Sequence, residues 1–277
     1  VAIVGAGELG GALAHVLARR DATRTIRLID DKGRVAEGKA LDIAQAAPVE
    51  GFATQLSGAT DWATGAGARV IVVADRVGRG EWGGDEALQL VGQLARSAPA
   101  AVILCAGASQ RELVDRGVHE LRISRTRLFG SAPEALAGGA RALVALAANG
   151  SPRDVSLSVL GIPPTHTVIP WEDATLGGFA LTRLVDEPSR RRIASRVAAL
   201  WPPGPYALAT AAALAIEAIA GRTRRLVSCF VAADTSAGLR SRAAAMPARL
   251  GPAGIVDVVT PSLSVVERVA LENAVQL

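Results

Sequence analysis

Val1-Ala2-Ile3-Val4-Gly5-Ala6-Gly7-Glu8-Leu9-Gly10-Gly11-Ala12-Leu13 opens the chain. Four apolar residues run straight into a Gly-x-Gly-x-x-Gly segment, and Leu13, Val16 and Leu17 then recur on one face at helical spacing. Strand, glycine turn and helix in that order are what a dinucleotide-binding loop requires. Gly5 permits the tight turn, Gly7 lets backbone approach a pyrophosphate, and Gly10 allows the helix to pack closely on the strand. The helix start offers unpaired N–H groups and a positive dipole end to phosphates. Gly5, Gly7, Glu8, Leu9 and Gly10 are therefore the expected cofactor contacts.

The next apolar run, Thr25–Ile29, ends at Asp30, about twenty residues beyond the glycine loop, where ribose hydroxyls are expected. A carboxylate there accepts hydrogen bonds from a 2′-OH and repels a 2′-phosphate, so NAD is expected over NADP, with Lys32 and Arg34 as nearby cations that soften the preference. The alternation continues with a helix over 36–46, a strand over 69–74, a helix over 85–96, a strand over 101–106, a helix after Gln110 and a short strand over 127–129. Right-handed crossovers place these strands in one parallel sheet. Beyond residue 130 the alternation weakens. Helices over 132–148, 188–200 and 207–220, a strand pair near 155–160 and 226–231, and a last helix from about Ser264 describe a second lobe. The expected fold is thus α/β: a Rossmann-type doubly wound parallel sheet over 1–130, followed by a mixed α+β domain over 131–277.

Composition excludes several classes. The net charge is only +4 and aromatics make up 3%, so there are few platforms on which bases could stack, and no nucleic-acid partner is expected. The densest cation cluster, Arg190-Arg191-Arg192, precedes Ile193, Ala194, Val197 and Ala198 at helical spacing and reads as the solvated side of an amphipathic helix. The richest apolar run, 207–220, is interrupted by Glu217 and reads as a buried helix, so no membrane span is expected. Cys105 and Cys229 lie in apolar strand-like runs and read as inert core thiols, which fits a reducing, cytoplasmic setting. His15 and His119 fall on helices and read as structural or surface residues.

From Gly33 to Gly51 the sequence is Gly-Arg-Val-Ala-Glu-Gly-Lys-Ala-Leu-Asp-Ile-Ala-Gln-Ala-Ala-Pro-Val-Glu-Gly. This run resembles the second crossover helix of the malate and lactate dehydrogenase family. The resemblance continues through Ser57-Gly58-Ala59-Thr60-Asp61-Trp62 and reaches Glu267-Arg268-Val269-Ala270-Leu271. It implies hydride transfer between NAD and a small 2-oxo or 2-hydroxy acid. It also implies a homodimer, in which the helix over 36–46 forms part of the interface.

The family's chemistry uses a His–Asp pair for the proton and arginines for the carboxylate. Here the places the resemblance assigns to the Asp and one Arg fall on Leu136 and Gly139, while Arg141 matches a second Arg. The His place falls on Pro163, with His166 three residues on in the same loop. Ser131 and Glu134 have capping-box spacing, so Glu134 reads as a helix-start residue. Cys105-Ala106-Gly107-Ala108 replaces the family's Thr-Asn-Pro run. In the loop from Asp75 to Asp85, Arg76 and Arg79 are candidate anion contacts and Trp82 a candidate cover. Two readings follow. One is an NAD-dependent oxidoreductase of altered substrate choice or much reduced activity, with His166 as proton donor and Arg76, Arg79 and Arg141 gripping a small anionic substrate. The other is a non-catalytic NAD-binding protein with a structural or sensing role.

Overall fold

The computed structural model describes residues 1–234 and 242–276. Its first half contains β1 (Ala2–Val4), α1 (Glu8–Arg19), β2 (Thr25–Ile29), α2 (Gly33–Glu50), β3 (Gln55–Ala59) and β4 (Val70–Val73). The short hairpin β5 (Asp75–Arg76) and β6 (Gly80–Glu81) follows, then α3 (Gly84–Ser97), β7 (Val102–Cys105), α4 (Arg111–His119) and β8 (Leu128–Gly130). Strands β3-β2-β1-β4-β7-β8 lie side by side in that order, all parallel. This order reverses at β1/β4, the switch point where doubly wound sheets take their ligands. The central strands β1, β4, β7 and β8 are covered on both faces and buried at every position, whereas β2 and β3 towards the edge carry exposed Thr25, Arg27 and Gln55. Ile3, Leu28, Val72 and Leu104 face α1 and α8, while Val4, Ile29, Val73 and Cys105 face α3 and α4.

The second half contains α5 (Ala132–Ala147), β9 (Val155–Ser156), β10 (Leu160–Ile162), β11 (His166–Val168), β12 (Thr175–Leu176), β13 (Phe179–Ala180) and α6 (Leu181–Leu184). It continues with α7 (Glu187–Ala198), α8 (Pro205–Ile219), β14 (Val227–Val231), β15 (Ala244–Gly251), β16 (Gly254–Val258) and α9 (Val265–Gln276). Strands β14, β15, β10, β11 and β16 extend the same sheet in antiparallel fashion, because β14 pairs with β8 through Phe230 and Gly130, while β9, β12 and β13 form a small antiparallel sheet of their own. Ala-rich α8 packs across α1 and α5. Its small residues let the helices approach closely, and its apolar surface is buried almost all round.

The fold matches the expected class, with differences that have physical causes. The strands expected near 155–160 and 226–231 do not pair, because β15 lies between β10 and β14. A second strand in that gap was hidden in Ala244-Ala245-Met246-Pro247-Ala248, a run poor in β-branched residues. The Ser131–Glu134 capping box is not formed. Glu134 instead turns inward, accepting from Arg141 Nη2 at 2.8 Å and from the Ser228 amide at 2.8 Å, while Arg141 Nε donates to the Leu157 carbonyl. This nearly buried pair ties α5 to β14 and to the strand region before β10.

A second knot lies where β1, β2 and β4 end. Asp30 has no exposed surface, and its carboxylate accepts from the amides of Ala6 at 2.8 Å, Lys32 at 3.0 Å and Val77 at 3.2 Å. Burial pushes this carboxyl up, but the Ala6 amide, its neighbour Asp31 and the Lys32 and Val77 amides outweigh that and hold it below its ordinary value. A depressed carboxyl contributes stability above its unfolded value and loses it as pH falls. The gap in unfolding free energy between the wild type and Asp30→Asn, measured in urea, should therefore be full at neutral pH and close as the pH drops below 3.8. Glu134→Ala leaves Arg141 buried beside an empty acceptor site and should cost about 3–5 kcal/mol in the same assay.

Candidate functional site

The turn from β1 into α1 places a row of backbone amides at the carboxyl edge of the sheet. Gly5, with φ of +109°, makes the sharp bend, and a Cβ on Gly10 would overlap the Gly5 carbonyl oxygen. Glycine is needed at both places, as the motif implies. Nearly every amide of the turn has an acceptor. Gly5 N–H donates to the Ile29 carbonyl, Ala6 N–H to the Asp30 carboxylate and Gly7 N–H to the Asp75 carbonyl. Leu9 and Gly10, in the first turn of α1, donate to Asp75 Oδ2 at 3.2 Å and Oδ1 at 2.9 Å. The Asp75 carboxylate lies directly over Gly7, where a Cβ would overlap it. Lys39 Nζ donates to the Gly7 carbonyl at 2.6 Å from the neighbouring α2.

Asp75 belongs to the β5–β6 hairpin, where it stands opposite Glu81. Like charges facing each other across a strand pair are unfavourable. Here they are kept apart in effect by separate sets of donors. Glu81 accepts from the amides of Ala108 at 2.9 Å and Ser109 at 2.8 Å and from the Ser109 hydroxyl, in the loop after β7. Buried Gln110 accepts from the Gly107 amide and donates to the Ala74 carbonyl, which holds that loop against the end of β4. Val77, at the hairpin turn, donates to Asp30, and Arg79 reaches Asp31 at 3.4 Å. The hairpin therefore spans the switch-point crevice, bonded to the glycine loop, to the end of β2 and to the loop after β7.

The other residues singled out in the sequence have internal partners. Arg76 pairs with Glu86 at 2.7 Å, and its guanidinium carbon lies 4.3 Å from the Trp82 ring centroid. Trp82 is 5% exposed and packs edge-on against Trp62, so it is a core residue and not a cover. Arg141 is held by Glu134. His166 begins β11 at one edge of the sheet, shares a hydrogen bond with Thr165 Oγ1 at 2.9 Å and, among the described residues, pairs with no acid. Leu136 is fully buried in an apolar cluster with Val159 and Ile169. Gly139 lies against Leu200, whose Cδ1 is 2.7 Å from where a Cβ would sit. Cys105 and Cys229 are free and fully buried, and burial pushes the Cys105 thiol up to about 12.

Asp75, Glu81, Gln110 and Lys39 were missed in the sequence. One signal was present: Asp75 follows the apolar strand β4 closely, much as Asp30 follows β2, and a carboxylate at that edge of a parallel sheet faces helix N-termini and loop amides. The donor set suits a pyrophosphate in kind, since it combines a helix start and glycine-exposed backbone. In the conformation described, however, the Leu9 and Gly10 amides are already bonded to Asp75. Among the described residues no cluster of His, Cys, Asp and Glu is arranged to hold a metal ion, and no helix is long and apolar enough to cross a membrane.

Residues 1–96 match the family described as lactate/malate dehydrogenase, NAD binding domain. Over nearly its whole length the chain is similar to malate dehydrogenases. It is 30% identical to that of Thioalkalivibrio sulfidiphilus, covering 97% of this chain and 93% of the relative. It is 26% identical to that of Salinibacter ruber, covering 99% and 93%. The solved structure of malate dehydrogenase from Salinibacter ruber superposes with a TM-score of 0.86 at 24% identity, covering 99% of this chain and 93% of that one. The lactate dehydrogenase of Cryptosporidium parvum, complexed with lactic acid and NAD, superposes at 0.85 with 20% identity, covering 99% and 93%. The chain belongs to the malate/lactate dehydrogenase family, and its first 96 residues are that family's NAD-binding domain.

Proposed function

We propose that this chain is an NAD-binding member of its family with little or no turnover of the 2-oxo acids that correspond to malate and lactate. Gly5, Gly7, Glu8, Leu9, Gly10 and Asp30 are the proposed cofactor contacts, and bound NADH would supply a hydride. What supports the reading is that the places the family resemblance assigns to the acid–base pair and the carboxylate-binding arginine fall on Leu136, Gly139 and Pro163. Leu136 sits among buried apolar side chains, and Leu200 takes the space beside Gly139. Arg141 is committed to Glu134. Loss of one positioned acid–base group removes about 10²–10⁴-fold of rate, and loss of the arginine removes charge-assisted hydrogen bonds as well.

A separate reading, altered substrate choice with His166 as proton donor and Arg76 and Arg79 as anion contacts, is favoured by the partial exposure of His166 at the start of β11, three residues beyond the place the resemblance assigns to the family's His. One experiment separates the two. NADH oxidation is followed with a panel of 2-oxo acids, beside the malate dehydrogenase of Thioalkalivibrio sulfidiphilus. We expect turnover at least about 10³-fold below that enzyme on every substrate. Turnover within tenfold of it overturns the first reading, and activity on another 2-oxo acid that vanishes in His166→Ala establishes the second.

The expected homodimer is supported by the outer face of α2. Leu41 and Val49 are exposed there, and a groove of 570 Å³ lined by His15, Lys39, Ile43 and Tyr206 runs between α1, α2 and α8. Light scattering should give twice the chain mass, and Leu41→Glu should shift it to the monomer. The two free, buried thiols support the expected reducing, cytoplasmic setting.

A further inference from the structure

We propose that Asp75 sets the dinucleotide affinity of this protein, because the β5–β6 hairpin carries its carboxylate into the place of the cofactor's pyrophosphate. The inference rests on the reading of residues 1–96 as the NAD-binding domain. Three observations meet in it. The Leu9 and Gly10 amides, which open α1 and would bind phosphate oxygens, donate to the two oxygens of Asp75. The same carboxylate lies over Gly7, on the surface through which the backbone must approach a pyrophosphate. Val77 of the same hairpin donates to Asp30, which is wholly buried and so has no oxygen open to a ribose.

A carboxylate and a pyrophosphate are both anionic acceptors and cannot share one set of donors. Dinucleotide therefore binds the form in which the hairpin has moved off the loop. That motion breaks the Asp75 and Val77 bonds together, since both residues belong to one short turn. Glu81 retains its own donors after β7, so the hairpin has an anchor on its far side about which to move. When only a fraction of molecules is competent to bind, the apparent dissociation constant rises by the inverse of that fraction. Removing the Asp75 carboxylate removes this competition and the charge repulsion with it.

Calorimetric titration of NADH into the wild type, Asp75→Ala and Asp75→Asn tests the proposal, with circular dichroism melts to verify that each variant is folded. Asp75→Ala should bind NADH at least about tenfold more tightly than the wild type, with Asp75→Asn between them. Inorganic pyrophosphate should show the same order. Amide hydrogen exchange gives a readout independent of affinity. Leu9 and Gly10 should be protected in the ligand-free wild type, exposed in ligand-free Asp75→Ala, and protected again when NADH is added to it. Equal or weaker NADH binding by folded Asp75→Ala overturns the proposal and leaves the NAD reading standing. If neither protein binds NADH, both fail. Should Asp75→Ala not fold, Asp75→Asn, which keeps the side-chain volume, decides on the same criteria.

Discussion

The backbone amides between β1 and α1 must find acceptors, and much of the first half is arranged around that need. A helix leaves its first N–H groups without partners, and a sharp glycine turn ahead of it adds more. Groups of this kind, placed where the sheet covers both sides, are costly to leave unpaired. In this protein the acceptors come from β2, through the Ile29 carbonyl and Asp30, and from the residues after β4, through the carbonyl and carboxylate of Asp75. The turn is thereby bonded to the two strands that flank β1. The same bonds fix the end of β2 against the hairpin, because Asp30 serves Ala6 and Val77 with one oxygen.

This arrangement bears on function in two ways. It sets the Leu9 and Gly10 amides side by side at the start of α1, where the two oxygens of one carboxylate take both. It also shows that the chain has an internal anion of the right shape within reach. On α5, Leu136 extends an apolar core and Leu200 occupies the side that Gly139 leaves bare. The acid that does lie on that helix, Glu134, is spent with Arg141 on joining α5 to β14.

Much of the architecture was legible in the residues. Apolar runs of four or five residues, each ended by Gly, Asp or Ala, marked β1, β2, β4 and β7, and the helices between them followed from 3.6-residue periodicity. The glycine loop was readable because its requirements are steric and local: Gly5 needs a positive φ, and Gly10 has no room for a Cβ. The Ser131–Glu134 spacing misled for an instructive reason. A capping box is a local pattern, but Glu134 faces the interior, where the Arg141 guanidinium and the Ser228 amide are stronger competitors for its oxygens than the Ser131 backbone. Strand β15 was missed because burial, rather than the β propensity of its alanines, places it between β10 and β14.

Where an anion-binding turn would form was readable from the residues alone, since that depends on side-chain period and on contacts within a few residues. The sequence carried the family resemblance for the same reason. Which acceptor the turn's amides take depends on long-range packing. The donors Leu9 and Gly10 and the acceptor Asp75 are separated by 66 and 65 residues, and they meet because β1 and β4 are adjacent strands in the sheet. Hydrogen-bond partners that distant are chosen by the packing of the whole domain, and in this chain the packing gives the glycine loop a carboxylate of its own.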